Sequence, residues 1–131
     1  MQSSVKKVMM IDDNEIDLKI NGKLISITKL FDEIIVCHSA EEALAYLTKH
    51  AQNVEKLPNF ILLDIQMPEM NGFEFLDEFK KLPKNITEKC PVAMLSSTLD
   101  YGDIKRAEAN RFVIKLLKKP LSTQELASLI G

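Results

Sequence analysis

Four short apolar runs, each closing on a polar group, limit what this chain can fold into more than any other feature. Val8-Met9-Met10-Ile11 leads into Asp12 and Asp13, Phe60-Ile61-Leu62-Leu63 into Asp64, and Val92-Ala93-Met94-Leu95 into Ser96. Val113-Ile114-Lys115-Leu116-Leu117 leads toward Lys119-Pro120. Apolar runs of this length, separated by helical patterns, read as strands buried on both faces, the habit of parallel sheets. Open sheets of that kind bind ligands at the carboxyl ends of their strands. One edge then collects three carboxylates, a hydroxyl and an ammonium, a set suited to a divalent cation and a phosphoryl group.

The intervening segments complete an alternation. Lys6 to Ile11 reads as the first strand and Asn14 to about Leu30 as a helix, with Ile16, Ile20, Leu24 and Ile27 on one stripe. Gly22 weakens that helix. Glu33 to His38, rich in β-branched residues, is the second strand. Ser39 and Glu42 form a capping box that opens a second helix, whose buried face is Ala43, Leu44, Leu47 and Ala51. Gln52 to Asn59 is a loop, and Phe60 to Asp64 the third strand. A turn over 67–72 leads to a helix carrying Phe73, Leu76 and Phe79, which Pro83 stops. Cys90 to Ser96 is the fourth strand, Asp100 to about Asn110 the fourth helix, and Phe112 to Leu117 the fifth strand. Ser122 and Glu125 cap a last helix with Leu126, Leu129 and Ile130 inward. Five β/α units with right-handed crossovers place helices on both faces of a parallel sheet. No repeat or internal linker interrupts the 131 residues, so one domain, 1–131, is expected.

Composition excludes several classes. A formal net charge of -2 gives no basic excess for nucleic acid. No apolar stretch approaches the roughly 20 residues of a membrane span. The N-terminus shows no secretory cleavage pattern. Cys37 and Cys90, the two cysteines, lie in strand-like segments without metal-type spacing and read as reduced, buried thiols. A reducing cytoplasm follows.

The chemistry of the edge can be read residue by residue. Asp12, Asp13 and Asp64 repel one another when crowded, and a divalent cation removes that conflict. As a pair alone, Asp12 and Asp13 would serve equally well as helix caps. Asp64, at the end of the third of five strands, is the best candidate for a carboxylate nucleophile in phosphoryl transfer. Pro120 restricts the backbone of Lys119 and so fixes an ammonium at the mouth of the cleft. Ser96 and its neighbour Ser97 both offer a donor hydroxyl. His38 and His50 lack companions and read as surface or core-edge residues.

These segments together resemble the receiver domains of two-component response regulators, especially the stand-alone, chemotaxis-type members of bacteria. The segments that carry the resemblance are 9–13, 63–72 (Leu63-Asp64-Ile65-Gln66-Met67-Pro68-Glu69-Met70-Asn71-Gly72), 94–97 and 117–120. The resemblance implies a flavodoxin-like (βα)5 doubly wound sandwich with a parallel sheet in order 2-1-3-4-5, an order the family itself illustrates. It implies that Asp64 accepts a phosphoryl group from a histidine kinase or a histidine phosphotransfer protein. Asp13, Asp64 and the backbone carbonyl of Gln66 would ligate Mg2+ (or Mn2+), and Asp12 would act through a bound water. Lys119 would contact the phosphoryl group across a typically cis bond to Pro120, and Ser96 would be the switch hydroxyl. Leu116 stands where many members carry an aromatic switch residue, so a tyrosine-type rotamer switch is not expected. Gln66 and Thr98 stand where members tune dephosphorylation.

Output is then expected through a protein partner, with no nucleic acid and no membrane. The implied surface is the fourth helix, fifth strand and last helix, including Tyr101, Lys105, Arg106, Lys115 and Lys118. Self-phosphorylation would be assisted, without turnover of an external substrate. Two other classes fit less well. A haloacid-dehalogenase-type phosphohydrolase needs a second aspartate where Gln66 stands. A flavodoxin-like cofactor binder needs a phosphate loop where Asp12-Asp13-Asn14-Glu15 would repel a phosphate.

Overall fold

A computed structural model describes residues 6–130; the N-terminal segment read above for a secretory signal lies largely outside the described residues. Strands β1 (Lys7–Ile11), β2 (Glu33–Cys37), β3 (Phe60–Asp64), β4 (Val92–Ser96) and β5 (Val113–Lys118) form one parallel sheet in the order β2-β1-β3-β4-β5. The helices are α1 (Glu15–Thr28), α2 (Ala40–Lys49), α3 (Gly72–Phe79), α4 (Lys84–Thr87), α5 (Tyr101–Ala109) and α6 (Thr123–Ile130), with a 3-10 turn at Val54–Lys56. The expected (βα)5 sandwich and strand order are therefore observed.

Alternation along the strands builds two cores. Met9, Ile11, Ile61, Leu63, Val92 and Met94 face α2 and α3 on one side, where Phe75, Leu76, Phe79, Ala43 and Leu47 fill the layer. Val8, Met10, Phe60, Leu62, Ala93 and Leu95 face the other side, against Leu18 and Ile25 of α1 and Leu126 of α6. β5 keeps this division by a register shift. Val92 pairs with Val113, but Ala93 pairs with Lys115, so Ile114 is the extra residue. The bulge lets Val113 and Leu116, three apart, both pack on the first core while Leu117 enters the second.

The face of α1 is not the expected one. Leu18, Asn21 and Ile25 are buried, whereas Ile16, Ile20 and Ile27 are 68%, 47% and 69% exposed. Leu24, between the two stripes, is half-buried against the second core. The helix carries two apolar stripes on nearly opposite sides, and the sheet takes the one holding Leu18 and Ile25. Replacing Ile16, Ile20 or Ile27 singly with Gln is expected to change unfolding free energy by no more than about 0.5 kcal/mol, read by chemical denaturation.

Several boundaries also differ. Lys29, in the left-handed region at φ 57°, ends α1 at Thr28. Pro83 does not stop α3, which ends at Phe79. It is instead the N-cap of α4, its carbonyl accepting from the Ile86 and Thr87 N–H groups. Cys90 and Pro91 lie before β4, and the Cys90 thiol donates to the Pro58 carbonyl at 3.1 Å. Cys37 and Cys90 are free and buried, and burial pushes both thiols up to about 12, so they stay protonated and inert. Only half of each predicted capping box forms: Ser39 and Ser122 Oγ accept from the Glu42 and Glu125 N–H groups, while the Glu42 carboxylate accepts from the N–H of His38 and the Glu125 carboxylate from the Ser122 hydroxyl. A reciprocal box, not foreseen, joins Asn71 and Glu74 at the start of α3. Among the described residues no helix is long and apolar enough to cross a membrane.

Candidate functional site

The strand order decides which residues meet. β1 and β3 are neighbours, with Ile11 beside Leu63, so the residues that follow, Asp12 and Asp64, stand side by side. β4 lies against β3, and Ser96 pairs with Lys118 of β5, which brings Lys119 to the same edge. Asp12 and Asp64 are each only 4% exposed, while Asp13 is exposed at the rim. One carboxylate oxygen from each of Asp12, Asp13 and Asp64 lies within 4.8 Å of the others.

Local hydrogen bonds aim these groups. The N–H of Asp12 donates to the Cys37 carbonyl at 3.1 Å, tying the end of β1 to β2. Asp12 Oδ1 accepts from the N–H of Asn14 at 2.9 Å in an Asx turn. Asn14, not either aspartate, is the cap of α1, accepting from the Asp17 N–H. The backbone of Gln66 favours the charged form of the neighbouring Asp64 carboxylate.

Lys119 completes the cluster. Its peptide bond to Pro120 is cis, and its N–H donates to the Ser96 carbonyl at 2.8 Å. Its ammonium donates to Asp12 Oδ2 at 2.9 Å and to Asp17 Oδ2 at 2.8 Å, and lies 3.3 Å from Asp64 Oδ1. Hydrogen bonds from Lys119 to Asp17 and Asp12 hold it protonated, above its ordinary range, against the opposing effect of burial.

One ammonium does not balance three carboxylates. Burial and the neighbouring Asp12 charge raise the Asp64 carboxyl from 3.8 to about 6, although Lys119 pulls it down. An oxygen-rich, charge-frustrated trio at one sheet edge is the donor set a hard divalent cation takes, so the residues present fit Mg2+ or Mn2+.

A family model for the response regulator receiver domain matches residues 8–131. This chain belongs to that family. A two-component response regulator from Cytophaga hutchinsonii superimposes with a TM-score of 0.89 at 33% identity, covering 97% of this chain and 95% of that one. A response regulator receiver protein from Dyadobacter fermentans gives 0.84 at 36% identity, covering 95% and 94%. Among curated proteins, histidine kinase CKI1 of Arabidopsis thaliana is 35% identical over 70% of this chain, which spans 9% of that protein. The Treponema denticola protein-glutamate methylesterase/protein-glutamine glutaminase is 37% identical over 73%, and the chain spans 23% of it. Receiver domains thus stand alone or serve as parts of kinases and of enzymes in these relatives.

The remaining residues of this receiver domain can now be placed. Ser96 is fully buried, and its hydroxyl is turned to its own loop, bonded to the Thr98 carbonyl and accepting from the Thr98 N–H at 3.2 Å. Ser97 Oγ donates to the side-chain carbonyl of Gln66 at 3.2 Å, linking the loops after β3 and β4 across the site. Leu116 is half-buried and lines a groove of about 410 Å³ with Leu99, Ile104, Ala107 and Ile114. Tyr101, Lys105, Arg106, Lys115 and Lys118 are exposed as expected, and Arg106 lies over the Phe73 ring, 4.0 Å from its centroid. His38 is held at the surface by Glu15, 2.7 Å from Nε2, and His50 packs on Tyr46. Sequence reasoning passed over Asp17. No local pattern signals it: Asp17 stands in the first turn of α1, and its partner Lys119 is 102 residues away in the chain.

Proposed function

We propose that residues 1–131 form a receiver domain that acts as a phosphorylation-dependent switch with Asp64 as acceptor. The observation that carries this reading is the buried Asp64 carboxylate, grouped with Asp12 and Asp13 and faced by the Lys119 ammonium at 3.3 Å. The donor is a phosphohistidine on a histidine kinase or a phosphotransfer protein. An Asp64 oxygen bonds to phosphorus as the phosphorus–nitrogen bond breaks, and the imidazole leaves with its electron pair. Bound Mg2+, or Mn2+, supplies charge neutralisation for the three acids and the transferred oxygens. Asp13, Asp64 and the Gln66 carbonyl would hold it directly, and Asp12 through water. Lys119, 3.3 Å from Asp64 Oδ1, would donate to a phosphoryl oxygen there.

The switch follows from what Ser96 must give up. A phosphoryl group adds three strong acceptor oxygens beside it. Turning the Ser96 hydroxyl to one of them breaks its two contacts with Thr98 and frees the loop over 97–100. α5 and β5 follow, and the groove of Leu99, Ile104 and Leu116 changes shape. Repacking of Leu116 takes the place of an aromatic rotamer switch. The α5–β5–α6 face then selects a protein partner in the cytoplasm, with no nucleic acid, membrane or external substrate involved. This is a population shift between two packings.

The test is intact mass after incubation with Mg2+ and acetyl phosphate, with Asp64→Asn alongside. A single phosphoryl adduct that needs Mg2+ and is lost in the variant supports the reading. An adduct persisting in Asp64→Asn, or none in the parent from either acetyl phosphate or a phosphorylated phosphotransfer protein, overturns it.

A further inference from the structure

Asp17 is the one partner of Lys119 with no other assigned task. It sits in the first turn of α1, its backbone N–H donating to the Asn14 cap at 3.0 Å. Its contact with Lys119, at 2.8 Å, is the shortest the ammonium makes, against 2.9 Å for Asp12 and 3.3 Å for Asp64. An ammonium has three N–H donors; here Asp17 and Asp12 each receive one, and Asp64 lies in ion-pair contact at 3.3 Å. Two of those carboxylates, Asp12 and Asp64, belong to the trio suited to a cation, while Asp17 does not. Asp17 is one-third exposed and Lys119 only 13%, so the pair is shielded enough for its geometry to be held.

We propose that Asp17 is a positioning residue, anchoring Lys119 to α1 so that its ammonium can release Asp12 and Asp64 to the divalent cation and still keep a carboxylate partner. The inference rests on the function proposed above and deepens it. With Asp17 present, a cation can take charge from Asp12 and Asp64 while Lys119 keeps one full carboxylate partner. It remains beside Asp64, where the phosphoryl oxygens will be. Without Asp17 the carboxylates left to the ammonium among the described residues are two the cation needs, and it must be displaced before the cation binds.

This predicts coupling through the lysine, which Mg2+ titration calorimetry of the unphosphorylated protein reads directly. Asp17→Ala is expected to weaken Mg2+ binding about tenfold, the usual scale for a residue that orients a ligand set from outside it. In a Lys119→Met background the same change should cost less than about twofold, since the competitor is gone. Asp17→Glu, which restores the carboxylate, should recover most of the affinity. Thermal melts of all variants establish that each is folded. Equal weakening with and without Lys119 would mean that Asp17 contributes only bulk negative charge, and no weakening at all would mean that it has no role; either result overturns the proposal. A parent that binds no Mg2+ overturns it as well. The calorimetry involves no phosphoryl transfer, so failure of the switch reading is recognised separately, by the adduct assay.

Discussion

Asp64→Asn is expected to melt higher than the parent in metal-free buffer well above pH 6, where the parent carboxyl is ionised, and to lose most of the parent's response to Mg2+. The folded parent holds the Asp64 proton more tightly than the unfolded chain, about 6 against an ordinary 3.8, because burial and Asp12 penalise the charge. The stability tied to that proton is fully present below about pH 4 and is lost as pH rises through about 6. At pH 7.5 the parent therefore carries an ionised, penalised carboxylate. Asparagine keeps an oxygen for Lys119 without the charge. The gain is about 1–3 kcal/mol, from 1.4 kcal/mol per pKa unit and an allowance for the lost pairing with Lys119. For a domain of this size that is about 3–5 °C in Tm for each kcal/mol. The parent should also gain stability as metal-free buffer is taken from pH 8 to pH 5, and the variant should show little of that gain. Saturating Mg2+ should raise the parent's Tm by mass action and leave the variant nearly unmoved. A variant that melts at or below the parent, with the same pH profile, would show that Asp64 is not the frustrated group.

The second large effect concerns a glycine at the site's edge. Gly72 begins α3, and its N–H donates to the Ile65 carbonyl at 2.9 Å. A Cβ there would lie 2.8 Å from the Asp64 carbonyl oxygen, 2.9 Å from Met94 Cε and 3.0 Å from Ile65 Cα. Methionine can yield, but the β3 backbone cannot move without carrying the Asp64 side chain. Gly72→Ala is expected to destabilise the fold by about 2–3 kcal/mol through overpacking and to slow phosphoryl uptake in the adduct assay. The same substitution at Gly22 should act in the opposite sense. There a Cβ meets only Met10 Cε at 3.7 Å, in the interior of α1. Gly22→Ala should stabilise by about 0.5–1 kcal/mol, the helix penalty of glycine. Denaturant titration of the two variants side by side checks both signs, and equal signs would defeat the argument from close approach.

Much of this molecule was legible in the chain itself. The four apolar runs became the four strands they indicated, each within two residues of its expected start; β1, β3 and β4 are buried on both faces, which needs unbroken apolar sequence, whereas β5 lies at the sheet edge, half exposed, and only Leu117 is fully covered. The acids, serine and lysine at their ends arrived at one edge for the same reason: parallel strands end together. What failed was local patterning with two solutions. Ile16, Ile20 and Ile27 make as good a stripe on α1 as Leu18 and Ile25, and periodicity does not say which one the sheet will cover. Pro83 suits the start of a helix as well as the end of one, and only the burial of Ile86 in the core settles it.

The sequence by itself determined the alternation of strands and helices, the capping serines, and the identity of the groups delivered to the strand ends, since each depends on residues within a turn or two of one another. The resemblance to receiver domains added the strand order. Only the tertiary structure decided which stripe of α1 is buried, that Ile114 bulges, that the Ser96 hydroxyl is engaged with Thr98, and that Lys119 reaches Asp17, 102 residues away in the chain. These depend on directions in space, and an ammonium with three donors takes whichever acceptors the folded backbone brings within hydrogen-bond reach.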